Sequence, residues 1–304
     1  MYNGKTIVPK TDNPDMLKAR LLNYKRKFFP LIKSLQTGLL LLTGLAGFMS
    51  ARCPVLNIPT LLGLTGSLFL SVSGSTVLNM WYDRDIDALM PRTCNRPLST
   101  GETKPLEALV FGIILTVLGI GWAVYLDPFY GLIVFLGFFF DVVVYTMWLK
   151  RRTPWSILWG GISGGMPILA GRVLGTGQID WVGITLAAGI LFWIPTHILT
   201  FSIRHHEDYQ AARVPTFPSA HGFHKTRVVI AASSVLAALS LGLAAYGVGL
   251  TWGFLRLLAV LSAGLMILAV KSLTTPSERI TFGLFKYASL YMMSAMLLML
   301  LAGF

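Results

Sequence analysis

Residues 28–50, 55–80, 106–126, 129–148, 154–173, 181–203, 228–248, 252–270 and 281–303 form nine apolar segments that are nearly free of charge. About 20 such residues are what an α-helix needs to cross a hydrocarbon layer roughly 30 Å thick. Nothing in lipid satisfies a stray backbone N–H or C=O, so segments of this kind fold as helices. Hydrophobic residues make up 54% of the 304 positions and charged residues 12%, which excludes a soluble two-domain enzyme and a disordered chain. The pattern predicts an all-α membrane protein with nine transmembrane helices.

The formal charge of +12 would suggest nucleic acid in a soluble protein. Here its location decides. If the loops alternate sides, all but Arg52, Arg172 and Arg256 of the 25 lysines and arginines fall on one side, which the positive-inside rule makes the cytoplasm. The N-terminus is expected inside and the C-terminus outside, in the cell membrane, and no nucleic-acid partner is needed to explain the basic residues. Residues 1–27 are polar, carry Pro9 and Pro14, and show no cleavable signal, so they read as a cytoplasmic tail ahead of a transmembrane domain over 28–304. Cys53 and Cys94 read as two unrelated thiols.

Two loops on the inner side, 81–105 and 204–227, are long, and between them hold Asp83, Asp85, Asp87, Glu102, Glu207 and Asp208. A site is expected at that mouth. If the second span continues as helix past residue 80, Asn79, Asp83 and Asp87 fall at successive i, i+4 positions and share a face. Two carboxylates stacked this way repel each other, a cost that a divalent cation removes. Mg²⁺ in particular prefers a few carboxylates plus water and phosphate oxygens. Asp85 points away from that face and reads as a solvated or Arg-paired surface residue. Just beyond, Arg92 and Arg96 in a loop stiffened by Pro91 and Pro97 offer guanidinium forks to phosphate. Carboxylates for metal beside arginines for phosphate suit a polyphosphate leaving group.

Three further features face the same mouth or the span interiors. Lys150 and Arg151 end the fourth span where topology alone would place basic residues, yet they stand ready to grip a second phosphate. Asp208 and Glu207 could supply another metal carboxylate from across the bundle, whereas the His205-His206-Glu207-Asp208 run reads as a solvated turn rather than a transition-metal site, because neighbours in sequence point to different helix faces. His197 and Asp141 sit within apolar spans, where an ionisable group is costly and by default functional. A hydrogen-bonded interior histidine is the plain alternative for His197, and Asp141 has no nameable partner, although the aromatic residues around it could steady a carbocation.

Asn79-x-x-x-Asp83-x-x-x-Asp87, followed by Arg92-Thr-x-x-Arg96-Pro97, resembles the first motif of the intramembrane UbiA-type prenyltransferases, and specifically of their protoheme IX farnesyltransferase branch. Tyr145-Thr-x-x-Leu-Lys150-Arg151-x-Thr153, Gly160-Gly-Ile-Ser-Gly-Gly165-Met-Pro167 and Asp208-Tyr209-Gln-Ala-Ala-x-Val-Pro215 are similar to segments of that branch. The resemblance covers about residues 25–300. It implies a nine-helix bundle around a central cavity, with Mg²⁺ on Asn79, Asp83, Asp87 and Asp208. Farnesyl diphosphate would be held by Arg92, Arg96, Lys150 and Arg151, and a vinyl group of heme b would be the acceptor. By the same resemblance Tyr145 and His197 contact porphyrin or guide water, and heme-pathway or terminal-oxidase assembly proteins are possible partners beside membrane lipid.

Two departures bear on these expectations. Many superfamily members carry a second Asp-x-x-x-Asp, whereas Ala212 and Arg204 flank Asp208 here at four residues, which bears on the number of metal ions. Pro215-Thr-Phe-Pro218 replaces the more usual Pro-Met/Val-Leu-Pro. A UbiA-type enzyme with another acceptor, such as a quinone precursor, a chlorin or a glycerol-phosphate lipid, would share all the metal chemistry. A transporter is the alternative of another class, but it would be expected to show related halves and broken helices.

Overall fold

The computed structural model describes residues 27–52 and 57–301, together with Lys18 and Leu22. Most of the expected 1–27 tail, Cys53 and the end of the last span lie outside the described residues. Among the described residues the fold is all helix: α1 Ser34–Ser50, α2 Ile58–Leu89, α3 Pro105–Leu126, α4 Pro128–Phe138, which continues as a π-helical segment Phe139–Leu149, α5 Ser156–Thr176, α6 Trp181–Arg204, the short α7 His206–Ala211, α8 Phe217–Val248, α9 Trp252–Thr274 and α10 Glu278–Leu301. Eight of these helical stretches are long and apolar enough to cross a membrane, and α1 is a shorter apolar helix. The protein is a multi-pass membrane protein.

Four boundaries differ from the sequence expectation. The first helix begins at Ser34, after a 3₁₀ turn Phe29–Ile32 and Lys33 in the left-handed region (φ 47°), so Lys33 stands ahead of the helix rather than within a 28–50 span. The second runs on to Leu89, as the i, i+4 spacing of its acidic residues requires if they share a face. The fourth changes winding at Phe139. The 204–227 segment is largely helical: α7 forms directly after α6, and α8 starts at Phe217. There Thr216 accepts from the Ser219 N–H and Ser219 Oγ accepts from the Thr216 N–H, a capping box that opens a helix well before the apolar run. Gly222 (φ 79°) kinks α8 one turn in, a conformation open to glycine.

The helices meet through small residues, as expected where lipid supplies no hydrophobic drive between them. α1 and α5 touch backbone to backbone: a Cβ on Gly171 would collide with the Gly44 carbonyl, and one on Gly47 with the Ile168 carbonyl. At that end of the bundle Arg172 donates to both oxygens of Asp180 (2.7 and 2.5 Å) and to the Ser50 carbonyl (2.8 Å), tying α1, α5 and the start of α6 together. Asp180 also caps α6 by accepting from the Gly183 N–H (2.8 Å). The Arg172 guanidinium holds the Asp180 carboxyl below its usual range. One apolar core lies between α6, α8, α9 and α10, another between α1, α2, α4 and α5. Both flank a central cavity.

Candidate active site

Continuation of α2 to Leu89 places Asn79, Asp83 and Asp87 along one buried stripe. Asp83 is 4% exposed and Asp87 6%. Asp85, two residues from each, is 61% exposed at its side chain and takes both arms of Arg151 at 2.7 Å. The surface reading of Asp85 therefore describes it, and the same ion pair occupies Arg151. The loop after α2 folds back over the stripe: Thr93 donates to the Asp87 carbonyl (2.8 Å), and Arg96 donates to the Asp87 carboxylate (2.6 Å).

The π-helical segment supplies the facing wall. The Lys150 N–H bonds the Tyr145 carbonyl at 2.8 Å, an i→i−5 closure. Nine residues separate Asp141 from Lys150, which is two and a half α turns but roughly two of the wider π turns. An α-helix would send these two side chains to opposite sides; the π winding aims both at α2. Asp141 accepts from the Asn79 side-chain amide (2.8 Å), and Lys150 donates to Asp83. Tyr145 lies between them, its ring against Gly160 of α5, where a Cβ would come within 3.2 Å of the ring.

Below this polar seam lies a cavity of about 600 Å³, walled by Lys33, Asn79, Asp141, Tyr145 and His197 together with apolar residues such as Leu68, Phe138 and Met296. Asp83 and Asp87 do not form its wall. They lie one and two helical turns beyond Asn79, beneath Lys150 and Arg96, facing neither lipid nor bulk solvent. Lys33 is the site residue that sequence reasoning passed over, counted only as topological charge. Burial, then the nearby charges of Arg96 and Lys150, lower its pKa to about 8. The available signal was a single lysine set inside an otherwise apolar stretch.

Opposite stands His197 on α6, stacked between Trp193 (4.8 Å between centroids) and Phe285 (4.5 Å), with Nδ1 3.3 Å from Ser289 Oγ. It is both a hydrogen-bonded interior histidine and part of the cavity wall. Arg92 lies with its guanidinium over Phe201 (4.8 Å) and Tyr209 (4.6 Å), and 4.0 Å from Asp208. Asp208 also approaches His205 Nδ1 at 3.2 Å.

Among the described residues no three acidic, histidine or cysteine side chains converge as a metal cluster, and Asp83, Asp87 and Asp208 each face a basic group. Two buried oxygens nevertheless lack a hydrogen-bond partner: Asn79 Oδ1 and Asp83 Oδ1, the latter 3.7 Å from Arg151. Orphaned buried oxygens cost about 1–3 kcal/mol each. Hard cations such as Mg²⁺ take oxygen ligands of this kind, so the donor chemistry fits.

The UbiA prenyltransferase family profile matches residues 40–300. The chain belongs to that family. It is therefore a prenyltransferase, and the transporter alternative falls. Protoheme IX farnesyltransferase of Korarchaeum cryptofilum (strain OPF8) is 44% identical over 206 residues, spanning 68% of this chain and 69% of that protein. A solved structure of digeranylgeranylglyceryl phosphate synthase superimposes with a TM-score of 0.78 at 20% identity, covering 94% of this chain and 99% of that one. A UbiA homolog from Archaeoglobus fulgidus, bound to DMAPP and Mg²⁺, superimposes with a TM-score of 0.66 at 16% identity, covering 90% and 99%. At such identities the structures establish the shared UbiA fold, while the farnesyltransferase relative establishes kinship along the sequence.

Proposed function

We propose that this prenyltransferase transfers the farnesyl group of farnesyl diphosphate to a vinyl group of heme b. The relative named protoheme IX farnesyltransferase supports the acceptor, and the observation that carries the donor half is the arrangement at the mouth. Five basic residues, Lys33, Arg92, Arg96, Lys150 and Arg151, gather around Asp83, Asp87 and Asp208 at the polar end of an otherwise apolar cavity. A diphosphate needs cations at its oxygens, and an isoprenoid tail needs an apolar chamber. Both are adjacent here.

Asn79, Asp83 and Asp87 are the residues that would hold Mg²⁺, with Asp208 as a further carboxylate from α7. The bound ion would neutralise charge on the diphosphate oxygens. Lys150 and Arg96, released from their carboxylates, would turn to the phosphates as charge-assisted donors. The allylic C–O bond then breaks, and its electron pair leaves with the diphosphate. The cavity excludes most water from the resulting cation. Phe138 and Tyr145 present rings in that wall, whose faces attract positive charge. The heme vinyl group supplies electrons for the new C–C bond, and water adds at the carbon left positive, losing one proton. Tyr145 and His197 are placed to orient acceptor and water. The positive-inside distribution supports a mouth at the cytoplasmic face of the cell membrane.

Purified protein incubated with Mg²⁺, farnesyl diphosphate and heme b should yield a porphyrin heavier by one farnesyl group and one hydroxyl. An unchanged porphyrin, with a mass gain on a quinone precursor instead, would replace heme b by another acceptor.

A further inference from the structure

Four flat rings form a near-parallel series, three of them in the cavity wall and the fourth, Phe282, in the adjoining pocket. Trp193 and His197 are 17° apart in plane, His197 and Phe285 21°, and Phe285 and Phe282 9° with centroids 6.3 Å apart. Their orientation is fixed from behind: Trp193 Nε1 donates to the Ala288 carbonyl (2.8 Å), and Ser289 holds His197. The outer end of the series is capped by two cations, with Arg204 Cζ 3.8 Å and Lys286 Nζ 4.4 Å from the Phe282 centroid. Phe201 and Phe285 wall both the main cavity and a smaller pocket of about 120 Å³ that holds Arg204 and Phe282, so the two spaces adjoin.

Arg96, Lys150 and Arg151 at the same mouth all have carboxylate partners. Among the described residues Arg204 and Lys286 have none. Membrane topology accounts for basic residues at a helix end. Lys286 reaches Phe282 from one turn along α10, but topology does not account for Arg204 of α6 meeting that same ring, which stacks on Phe285 of the cavity wall. Two like charges against one ring raise each other's energy, a cost that an anion removes. They also come from α6 and α10, apart from the α2 stripe and Lys150 on the donor side.

We propose that this ring series and its Arg204–Lys286 cap bind the acceptor as a planar macrocycle with carboxylates along one edge. The inference rests on the farnesyltransferase reading and adds to it the subsite and orientation. In heme b the two propionates lie on one edge and the vinyl groups on the other. Carboxylates held at the cap direct the vinyl edge inward, toward the chamber shared with the donor. The rings are stacked on one another, so their edges supply apolar contact along the macrocycle, and the cap supplies direction.

The test is an absorbance titration of the full chain in lipid nanodiscs with heme b and with its dimethyl ester, without farnesyl diphosphate. Wild type should bind the free acid more tightly. Arg204→Gln and Lys286→Gln should each weaken heme b binding about threefold to fivefold, the range of a partly exposed ion pair, and leave the ester unchanged. Both positions are exposed, so the fold should tolerate the changes. Equal affinity of wild type for acid and ester, equal effects of the variants on both, or no saturable heme b binding would overturn the proposal. Mass analysis after adding Mg²⁺ and farnesyl diphosphate separates the two readings. Farnesylated porphyrin without carboxylate dependence removes the cap alone, whereas carboxylate-dependent binding without any mass gain removes the reaction alone.

Discussion

The Asn79 amide donates to Asp141 at 2.8 Å, joining α2 to the π-helical segment at the inner edge of the polar seam. The bond satisfies one oxygen of a carboxyl group enclosed by apolar helices and leaves Asn79 Oδ1 buried without a partner. Asn79→Leu removes the donor and strands Asp141. Burying an unsatisfied group costs on the order of 1–3 kcal/mol, so the variant should melt several degrees lower in detergent. Asp141→Asn, which retains an acceptor oxygen, should lose less. Equal melting temperatures for Asn79→Leu and wild type would show that the bond does not hold the seam.

Asp83 and Asp87 are matched by Lys150 and Arg96, and an asparagine at either position keeps an oxygen to accept from its cation, so that cation loses its counter-charge but not its hydrogen bond. Asp83→Asn and Asp87→Asn should keep the fold and lower kcat at least a hundredfold, the scale on which removing one charge-stabilising group acts. Diphosphate release at saturating farnesyl diphosphate and Mg²⁺ measures it. Full activity in both variants would remove their proposed metal role.

The apolar segments were legible because a lipid-crossing helix writes its length directly into the sequence. The α2 stripe was legible too, since Asn79, Asp83 and Asp87 repeat at four residues and thereby share a face. Asp85 reads correctly as a surface residue for the same reason. The π winding was hidden: Phe138–Phe140 and Val142–Val144 are as compatible with α as with π, and α phasing separates Asp141 from Lys150. Lys33 was hidden because positive-inside topology already explained a basic residue near the first helix. The Asn79–Asp141 bond and the Arg204 guanidinium on Phe282 join segments far apart in sequence, and no local periodicity encodes such meetings.

Lys33 ties the site to pH. Its pKa of about 8, lowered by burial and by the charges of Arg96 and Lys150, means that the free enzyme loses this cation as pH rises from 7 to 9. kcat/KM for farnesyl diphosphate should therefore fall along an alkaline limb near pH 8, since that ratio reports groups of the free enzyme. Lys33→Arg keeps its charge throughout this range and should move the limb upward. The stability effect has the opposite sign. An unfolded lysine binds its proton up to about 10.4, so between pH 8 and 10 the unfolded chain holds more protons and this group's contribution to stability rises with pH. A limb unmoved by Lys33→Arg would assign it to another group.

At the far end of the bundle, the Arg172–Asp180 pair separates stability from chemistry. Arg172 is nearly buried and joins α1 through the Ser50 carbonyl to α6 through Asp180. Arg172→Leu leaves that carbonyl and a half-buried carboxylate without their partner, a change worth about 3 kcal/mol by comparison with other broken buried pairs. The melting temperature should drop while KM for farnesyl diphosphate stays at the wild-type value, because no residue of the polar seam touches this pair. The pair also predicts acid lability. Asp180 has its carboxyl lowered in the folded state by Arg172, so its contribution is complete above the unfolded value near 3.9 and is lost as pH falls through the folded one. Wild type should therefore lose more stability than Arg172→Leu on acidification below about pH 4. Parallel acid melting curves for the two proteins would show that the ion pair carries no such coupling, and a raised KM in the variant would show that the bundle transmits the loss to the donor site.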